Sequence, residues 1–256
     1  MFLRELARST MWGAGVYIAC AAAIIAAERL NGRSLAVYKT RNALDDLAYA
    51  IFYQCSIYNL LVSPLFAILS PRLQFLKIGV LLRLPPLASM LAAWIIFDFL
   101  NYWMHRLQHA FAPLWALHSV HHSQTELTFL TASRIHVLEQ LYVGILMMVP
   151  AFILGVTQPR LLPILFLQVF SESVQHARLR WTYGPLHGVV VSPAFHLTHH
   201  SSDSGDRNAN YGRIFSLWDV VFRTFRRSNA ERFGVAGLQL KGLPAQFLHP
   251  FKSSAT

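Results

Sequence analysis

Long apolar segments dominate this sequence and tie the chain to a membrane. A helix that crosses a bilayer needs about 20 mostly apolar residues, and residues 11–27 (MWGAGVYIACAAAIIAA) come close to that length. Similar segments cover residues 47–69, 86–103 and 137–156, and a shorter one covers 161–174. Because 54% of the residues are hydrophobic and only 13% charged, the composition lies outside the soluble globular range. The sequence predicts an all-α integral membrane protein with four to five transmembrane or hairpin helices.

Basic residues lie mainly at the ends of these segments. Some follow the first segment and the others lie near the C-terminus: Arg29, Arg33, Lys39, Arg41, Arg213, Arg223, Arg226, Arg227 and Arg232. The positive-inside rule places both groups in the cytoplasm, although Arg72, Lys77 and Arg83 then lie outside or at the interface. Because the cations flank membrane segments, the net charge of +10 does not indicate a nucleic-acid partner. A cleaved signal peptide is the alternative interpretation of the first segment.

Eight of the twelve histidines fall into three boxes with helical spacing. Residues at i, i+3 and i+4 share one face of a helix, so each box can aim its imidazoles at one point. This is the spacing of metal ligands. The boxes are HxxxH at His105 and His109, HxxHH at His118, His121 and His122, and HxxHH at His196, His199 and His200.

Four more residues are candidate ligands or partners of ligands. His176 ends the fifth apolar segment, and Glu172 lies one turn before it. Asp98 shares a helix face with the first box and is expected to accept the second ring N–H of a ligating histidine. His136, at the start of the fourth segment, is either a ligand or an interfacial histidine.

Eight box histidines and His176 are too many for one ion, since zinc takes four ligands. Two ions with about four to five nitrogens each would use the set. Imidazole suits iron, zinc, copper and nickel, so the ligands alone do not identify the metal. A nitrogen-rich pair of redox metals beside lipid-sheltering helices is suited to activating O2 against a C–H bond. A zinc hydrolase would more often carry a glutamate base, as in HExxH, and the sequence contains no such motif.

The order of these motifs resembles the fatty acid hydroxylase superfamily of membrane di-iron enzymes, which includes sterol desaturases, sphingolipid hydroxylases and alkylglycerol monooxygenase. The resemblance covers residues 95–225. Only eight residues separate His109 from His118, whereas the acyl-CoA desaturases, which use similar boxes, have a longer insertion between their first two boxes. It rests on DFLNYWMHRLQH, LHSVHHS, TASRIHVLEQ, VQHARL, PAFHLTHHSSD and NYGRIFSLWDVVF.

The resemblance implies that the box histidines and His176 bind two irons, and that His136 occupies a position where the sterol desaturase branch also has a histidine. Some hydroxylases have a second histidine where this chain has Glu172. The family's tail motif, expected to close and pack the site, matches Asn210, Tyr211, Gly212, Trp218 and Asp219. We therefore divide the chain into N-terminal membrane helices (1–85), a catalytic domain (86–228) and a C-terminal tail (229–256).

The predicted function is an O2-dependent oxidoreductase that hydroxylates or desaturates a sterol, fatty acyl or ether lipid. The sequence shows no cytochrome b5, flavin or nicotinamide fingerprint, so a separate reductase, ferredoxin or cytochrome is expected to supply electrons. We expect a bacterial inner-membrane protein whose histidine cap faces the cytoplasm. The alternatives are a zinc-dependent lipid hydrolase, a metal transporter and a haem-binding electron carrier. Transport sites lie near the bilayer midplane on broken helices, whereas these boxes lie at helix ends and in polar segments.

Overall fold

Helices make up the regular structure of the protein, which we describe from a computed structural model. The structure describes residues 2–156 and 158–251, and for residues 2–12 and 158–165 it describes the backbone alone. The predicted segment at 161–174 therefore lies partly outside the described side chains. Within the described ranges there is no β-strand beyond one isolated bridge, between Ser201 and Phe233. The all-α prediction is confirmed.

Eleven α-helices occur in the described part of the chain. Short 3-10 turns, including Phe129–Ser133, connect several of them. The helices are α1 Phe2–Leu30, α2 Arg41–Gln54, α3 Ile57–Arg72, α4 Pro86–Ala110, α5 Ala112–His122, α6 Val137–Leu154, α7 Gln158–His176, α8 Pro193–His199, α9 Ser204–Arg207, α10 Leu217–Val221 and α11 Leu243–Leu248.

Three helices are long and apolar enough to cross a membrane: Gly13–Leu30 within α1, all of α4 and all of α6. Only 11%, 22% and 6% of their apolar windows are buried inside the protein, so most of this apolar surface is available to lipid. Helices α2 and α3 together are also long and apolar enough to cross a membrane, although they are bent by 43° relative to each other. Counted as one bent span, they make a fourth. The structure thus confirms a helical membrane protein with three to four candidate spans among the described residues.

The segment at 47–69, predicted as one helix, is broken. Helix α2 ends at Gln54 and α3 begins at Ile57, with Ser56 in the left-handed backbone region at a φ of 60°. A residue in that region cannot continue a right-handed helix, so the chain bends there.

The histidine boxes lie where helices end. Helix α4 ends one residue after His109, whereas α5, α7 and α8 end at His122, His176 and His199. Each helix C-terminus carries a partial negative charge from its aligned peptide dipoles. Four such ends converge on the same region, and this arrangement favours a cation among them.

Candidate metal centre

The nine predicted ligands divide into two groups of histidines. Within each group, one nitrogen from every ring lies within 4.8 Å of the corresponding nitrogens of the other members. The first group is His105, His109, His118, His122 and His199, and the second group is His121, His176, His196 and His200.

The expectation that each box points at one site needs a correction. The second box sends His118 and His122 to the first group and His121 to the second. The third box sends His196 and His200 to the second group and His199 to the first. Neighbouring residues on a helix project about 100° apart, since there are 3.6 residues per turn. An HxxHH box at the border of two sites therefore serves both.

Two rings of the first group are held by backbone carbonyls on their outer side. The Nδ1 atoms of His105 and His199 donate to the carbonyls of Tyr211 and Ala209, at 3.0 and 2.7 Å. Because Nδ1 carries the proton, Nε2 of each ring presents a lone pair. Both Nε2 atoms are buried and have no hydrogen-bond partner, so they point into the group as free metal ligands.

The second group places unprotonated nitrogens against each other. The Nδ1 atoms of His121 and His176 donate to the carbonyls of Arg134 and Glu172, at 3.2 and 2.7 Å. Their Nε2 atoms therefore carry no proton, yet they lie 3.2 Å apart. Two lone pairs at that distance repel each other unless a cation lies between them.

The remaining second-group rings complete the same cage. The Nε2 atoms of His196 and His200 lie 3.0 and 3.1 Å from Nε2 of His176. Nitrogens bound to one tetrahedral ion at about 2.0–2.1 Å would lie about 3.3 Å apart. The spacing thus fits a four-nitrogen metal site. Both groups can hold a metal, and their imidazole donors fit a transition metal better than Mg²⁺ or Ca²⁺.

Burial favours the neutral form of the third-box imidazoles, His196, His199 and His200. Desolvation lowers the pKa of His199 to about 3 and drives the pKa values of His196 and His200 well below their usual range; for the last two, neighbouring histidines lower them further. A neutral ring can donate its lone pair at physiological pH, whereas a protonated ring cannot.

The structure corrects the predicted role of Asp98. Its carboxylate accepts from the backbone N–H groups of Ile214 and Phe215 and from the Trp218 indole, at 2.9, 3.2 and 2.8 Å. His105 follows seven residues later, about 10 Å along the helix axis, too far for direct contact. Asp98 instead fixes the C-terminal loop against α4.

Glu172 and His136 lie outside both groups. The Glu172 carboxylate forms an ion pair with Arg213, and only its backbone carbonyl contacts a ligand ring. His136 caps α6 by accepting from the Leu138 N–H, and its Nε2 donates to the Phe247 carbonyl, both at 3.2 Å. Each side chain is therefore occupied by a structural contact.

Glu139 is a functional candidate that the sequence interpretation missed. It is 5% exposed, and its carboxylate lies 2.7 Å from Nδ1 of His118 and 2.9 Å from Nε2 of Gln108. A carboxylate at the start of an apolar helix is costly and marks a functional position. That signal was present in VLEQLYVGIL. Glu139 fills the role predicted for Asp98, because it orients a ring whose Nε2 points into the first group.

Replacement of Glu139 by glutamine tests this role. Loss of a carboxylate that orients a metal ligand typically weakens metal affinity about 10–100-fold, so Glu139→Gln should lose metal from the first group at lower chelator concentrations. Chelator titration followed by elemental analysis measures the effect. Glu126→Gln, at an exposed site, is the control, and equal chelator resistance in the Glu139 variant would remove this residue from the site.

The tail motif shapes the loop that covers the first group. Asp219 accepts from the backbone N–H groups of Tyr211 and Gly212, at 2.8 and 2.7 Å. A side chain at Gly212 would bring a Cβ within 2.6 Å of the Phe215 carbonyl, so this close approach requires glycine. The loop thereby presents the Tyr211 carbonyl to His105.

A cavity of about 110 Å³ opens beside both histidine groups. Rings of the first and second groups form part of its wall, and the other residues come mainly from α4, α6 and α7. The lining is Asn101, Met104, His105, Gln108, His118, His121, Ala132, Ile135, Glu139, Gln140, Val143, Glu172, Gln175, His176, His196, Gly212 and Arg213.

Fold and site together define a helical membrane protein with a buried, histidine-rich centre suited to two metal ions. The family model of the fatty acid hydroxylases matches residues 90–224, more than half of the chain. The protein belongs to the fatty acid hydroxylase family.

Curated relatives carry names of lipid oxidation. The ornithine lipid hydroxylase of Rhizobium tropici is 32% identical over 61% of this chain and 48% of its own length. The alkylglycerol monooxygenase of Caenorhabditis elegans is 33% identical over 55% of this chain and 28% of its own length. The methylsterol monooxygenase 1-1 of Arabidopsis thaliana is 27% identical over 73% of this chain and 64% of its own length. The chain thus spans half or less of the first two relatives. No solved structure matches it.

Proposed function

We propose that the protein is an O2-dependent di-iron oxidoreductase that hydroxylates or desaturates a C–H bond of a membrane lipid. The observation that carries the proposal is the four-nitrogen cage of the second group beside the five-histidine first group, with one cavity touching both. The names of the relatives support it, since ornithine lipid, alkylglycerol and methylsterol are all lipids. A zinc hydrolase would more often carry a glutamate base as in HExxH, and the sequence contains no such motif.

The overall reaction balances with two electrons from outside. Hydroxylation converts R–H, O2, two electrons and two protons into R–OH and water; desaturation converts the same reactants into an alkene and two waters. When bound, the iron pair supplies the redox chemistry that activates O2. The residues of the chain would hold the ions in two groups of imidazoles, and backbone carbonyls and Glu139 would orient several of the rings through their Nδ1 atoms.

Each turnover also requires an electron donor. We propose a separate reductase, ferredoxin or cytochrome that docks on the cytoplasmic face of the protein. The positive-inside rule assigns the basic C-terminal residues to that face. On this basis we place the histidine cap in the cytoplasm and the protein in a bacterial inner membrane. The catalytic unit is the region 86–228, which encloses the family match at 90–224.

Metal and product analysis of the purified protein tests the proposal. Protein made in iron-replete cells and purified in detergent should contain about two iron ions per chain, one for each group. With a chemical reductant and ¹⁸O2, extracted lipids should gain one ¹⁸O atom or lose two hydrogens. Zinc that persists through iron-replete expression would favour a lipid hydrolase, and metal uptake into vesicles without lipid oxidation would favour a transporter.

A further inference from the structure

One wall of the cavity beside the histidine groups is charged. Arg213 and Glu172 form an ion pair there, and Asn101 lies next to them on α4. A few polar groups on the wall of a largely apolar cavity typically orient the ligand that binds there. The charged groups of the pair do not hold the histidine rings. Glu172 contacts His176 through its backbone carbonyl and not through its carboxylate.

The guanidinium of Arg213 is only partly satisfied. Its Nε donates to the Glu172 carboxylate, and its Nη1 donates to Oδ1 of Asn101 at 3.0 Å. The Gln168 carboxamide lies against the same Nε and Nη1 atoms. Among the described residues no partner is found for Nη2, and 34% of the side chain is exposed. A planar guanidinium with free N–H groups is suited to bind carboxylate or phosphate oxygens.

Both partners of the ion pair are attached to the metal centre through the backbone. Arg213 comes two residues after Tyr211, whose carbonyl accepts from His105 in the first group. Glu172 accepts through its own carbonyl from His176 in the second group. Arg213 also lines the same cavity as rings of both groups, among them His105 and His176. A ligand that enters this cavity and binds Arg213 therefore has its next few carbon atoms beside the histidine groups.

The size and lining of the cavity restrict what enters it. A volume of about 110 Å³ is below the roughly 300–1,000 Å³ of pockets that enclose a whole ligand, so only part of a lipid fits. Met104, Ile135 and Val143 offer apolar contacts to methylene groups. The methyl end of an alkyl chain would form no hydrogen bond with the charged wall and would prevent water from solvating the charged side chains there.

We propose that Arg213 binds the polar head of the lipid substrate through an oxygen acceptor, such as a carboxylate, an ester carbonyl or a phosphate. The C–H bond that is oxidised then lies a few carbons from that head and not at the methyl end of the chain. The position of oxidation rests on the proposed function, whereas the orientation of the bound lipid does not. A negatively charged head displaces the Glu172 carboxylate from the guanidinium, whereas a neutral carbonyl accepts a hydrogen bond from Nη2.

Photo-crosslinking of the full-length, metal-loaded protein in detergent tests the orientation. Two octadecanoic acid probes are used, one with a diazirine close to the carboxylate and one with it near the methyl end. We expect the first probe to label the peptides that contain Met104, Ile135 and Val143, and the second to label the lipid-facing surfaces of the spans. In Arg213→Gln, cavity labelling by the first probe should fall about tenfold, as expected for loss of a charge-assisted hydrogen bond.

Matched variants keep the result interpretable. Arg223→Gln, which removes an exposed arginine of the same segment, should label like the wild type. Glu172→Gln frees the guanidinium from its carboxylate partner and should label at least as strongly as the wild type. If Arg213→Gln fails to fold, Arg213→Lys replaces it and should show weaker labelling, because lysine cannot bind an oxygen pair in the same way.

Cavity labelling by the methyl-end probe, or equal labelling with and without the Arg213 guanidinium, would overturn the proposal. Failure of the proposed function looks different, because crosslinking would keep the expected pattern while no ¹⁸O or desaturated product formed.

Discussion

Replacing His199 by alanine should weaken metal binding in the first group, which keeps four of its five rings, and should abolish lipid oxidation. The His199 ring is fully buried and donates through Nδ1 to the Ala209 carbonyl, and among the described residues its Nε2 has no hydrogen-bond partner. Loss of a ligand should weaken metal affinity by more than the roughly 10–100-fold that is typical when a hydrogen-bond partner of a ligand is lost. After treatment with a chelator that the wild-type protein withstands, elemental analysis should show about half of the wild-type metal, because the second group keeps all four rings. His121→Ala should give the converse, with metal retained only in the first group.

His187→Ala is the control for this experiment. His187 is also a buried histidine, 7% exposed, but its Nδ1 bonds to the Ser192 hydroxyl at 3.0 Å and it belongs to neither group. Its replacement should leave the metal content unchanged. Full activity in His199→Ala, or equal metal loss in the His187 variant, would contradict the assignment of the ligands.

Composition and apolar length were enough to predict the membrane class and the helical fold. The segments at 86–103 and 137–156 correspond to α4 and α6 because an apolar run of bilayer length can satisfy its backbone only as a helix. The break in the segment at 47–69 was not predictable from hydropathy. Ser56 takes a left-handed conformation there, and serine has no strong preference for it.

The boxes identified which residues come together but not how they divide. Spacing shows that His118 and His122 share a face, and both indeed lie in the first group. It does not show that His121, one residue before His122, joins His176 from a distant helix. That division depends on how α5, α7 and α8 pack, and packing across 55 residues of sequence, as between His121 and His176, leaves no local pattern.

Partners of the ligating rings were the least predictable part of the site. Backbone carbonyls serve this role for several rings, including those of Tyr211 and Ala209, and any residue can supply a carbonyl. The sequence could narrow the carboxylate partner to two candidates but could not choose between them. Glu139 and Asp98 both lie in apolar helices, and only long-range contacts decide that Glu139 reaches His118 while Asp98 holds the C-terminal loop.

Replacing Asp46 by leucine should be among the most destabilising single changes in the protein. Its carboxylate is completely buried and accepts from Arg134 Nη1, Gln124 Nε2 and Thr131 Oγ1, at 2.9, 2.8 and 2.7 Å. Arg134 is also buried, with 2% of its side chain exposed. Removing one partner leaves an uncompensated buried charge, which costs about 3–5 kcal/mol. In a domain of this size the loss should lower Tm by roughly 6–20 °C, measurable by thermal unfolding in detergent.

The same change should reach the metal centre, because Arg134 carries two functions. Its side chain pairs with Asp46 on α2, and its carbonyl accepts from Nδ1 of His121. Asp46→Leu should therefore weaken metal binding in the second group more than in the first. Replacing both residues, Asp46→Leu with Arg134→Met, removes the unpaired charge and should recover much of the lost stability, since buried ion pairs can often be replaced by apolar residues at little cost. Additive effects of the two substitutions would show that the pair is not energetically coupled, and Tm close to that of the wild type in Asp46→Leu would show that the network does not hold α2 to the centre.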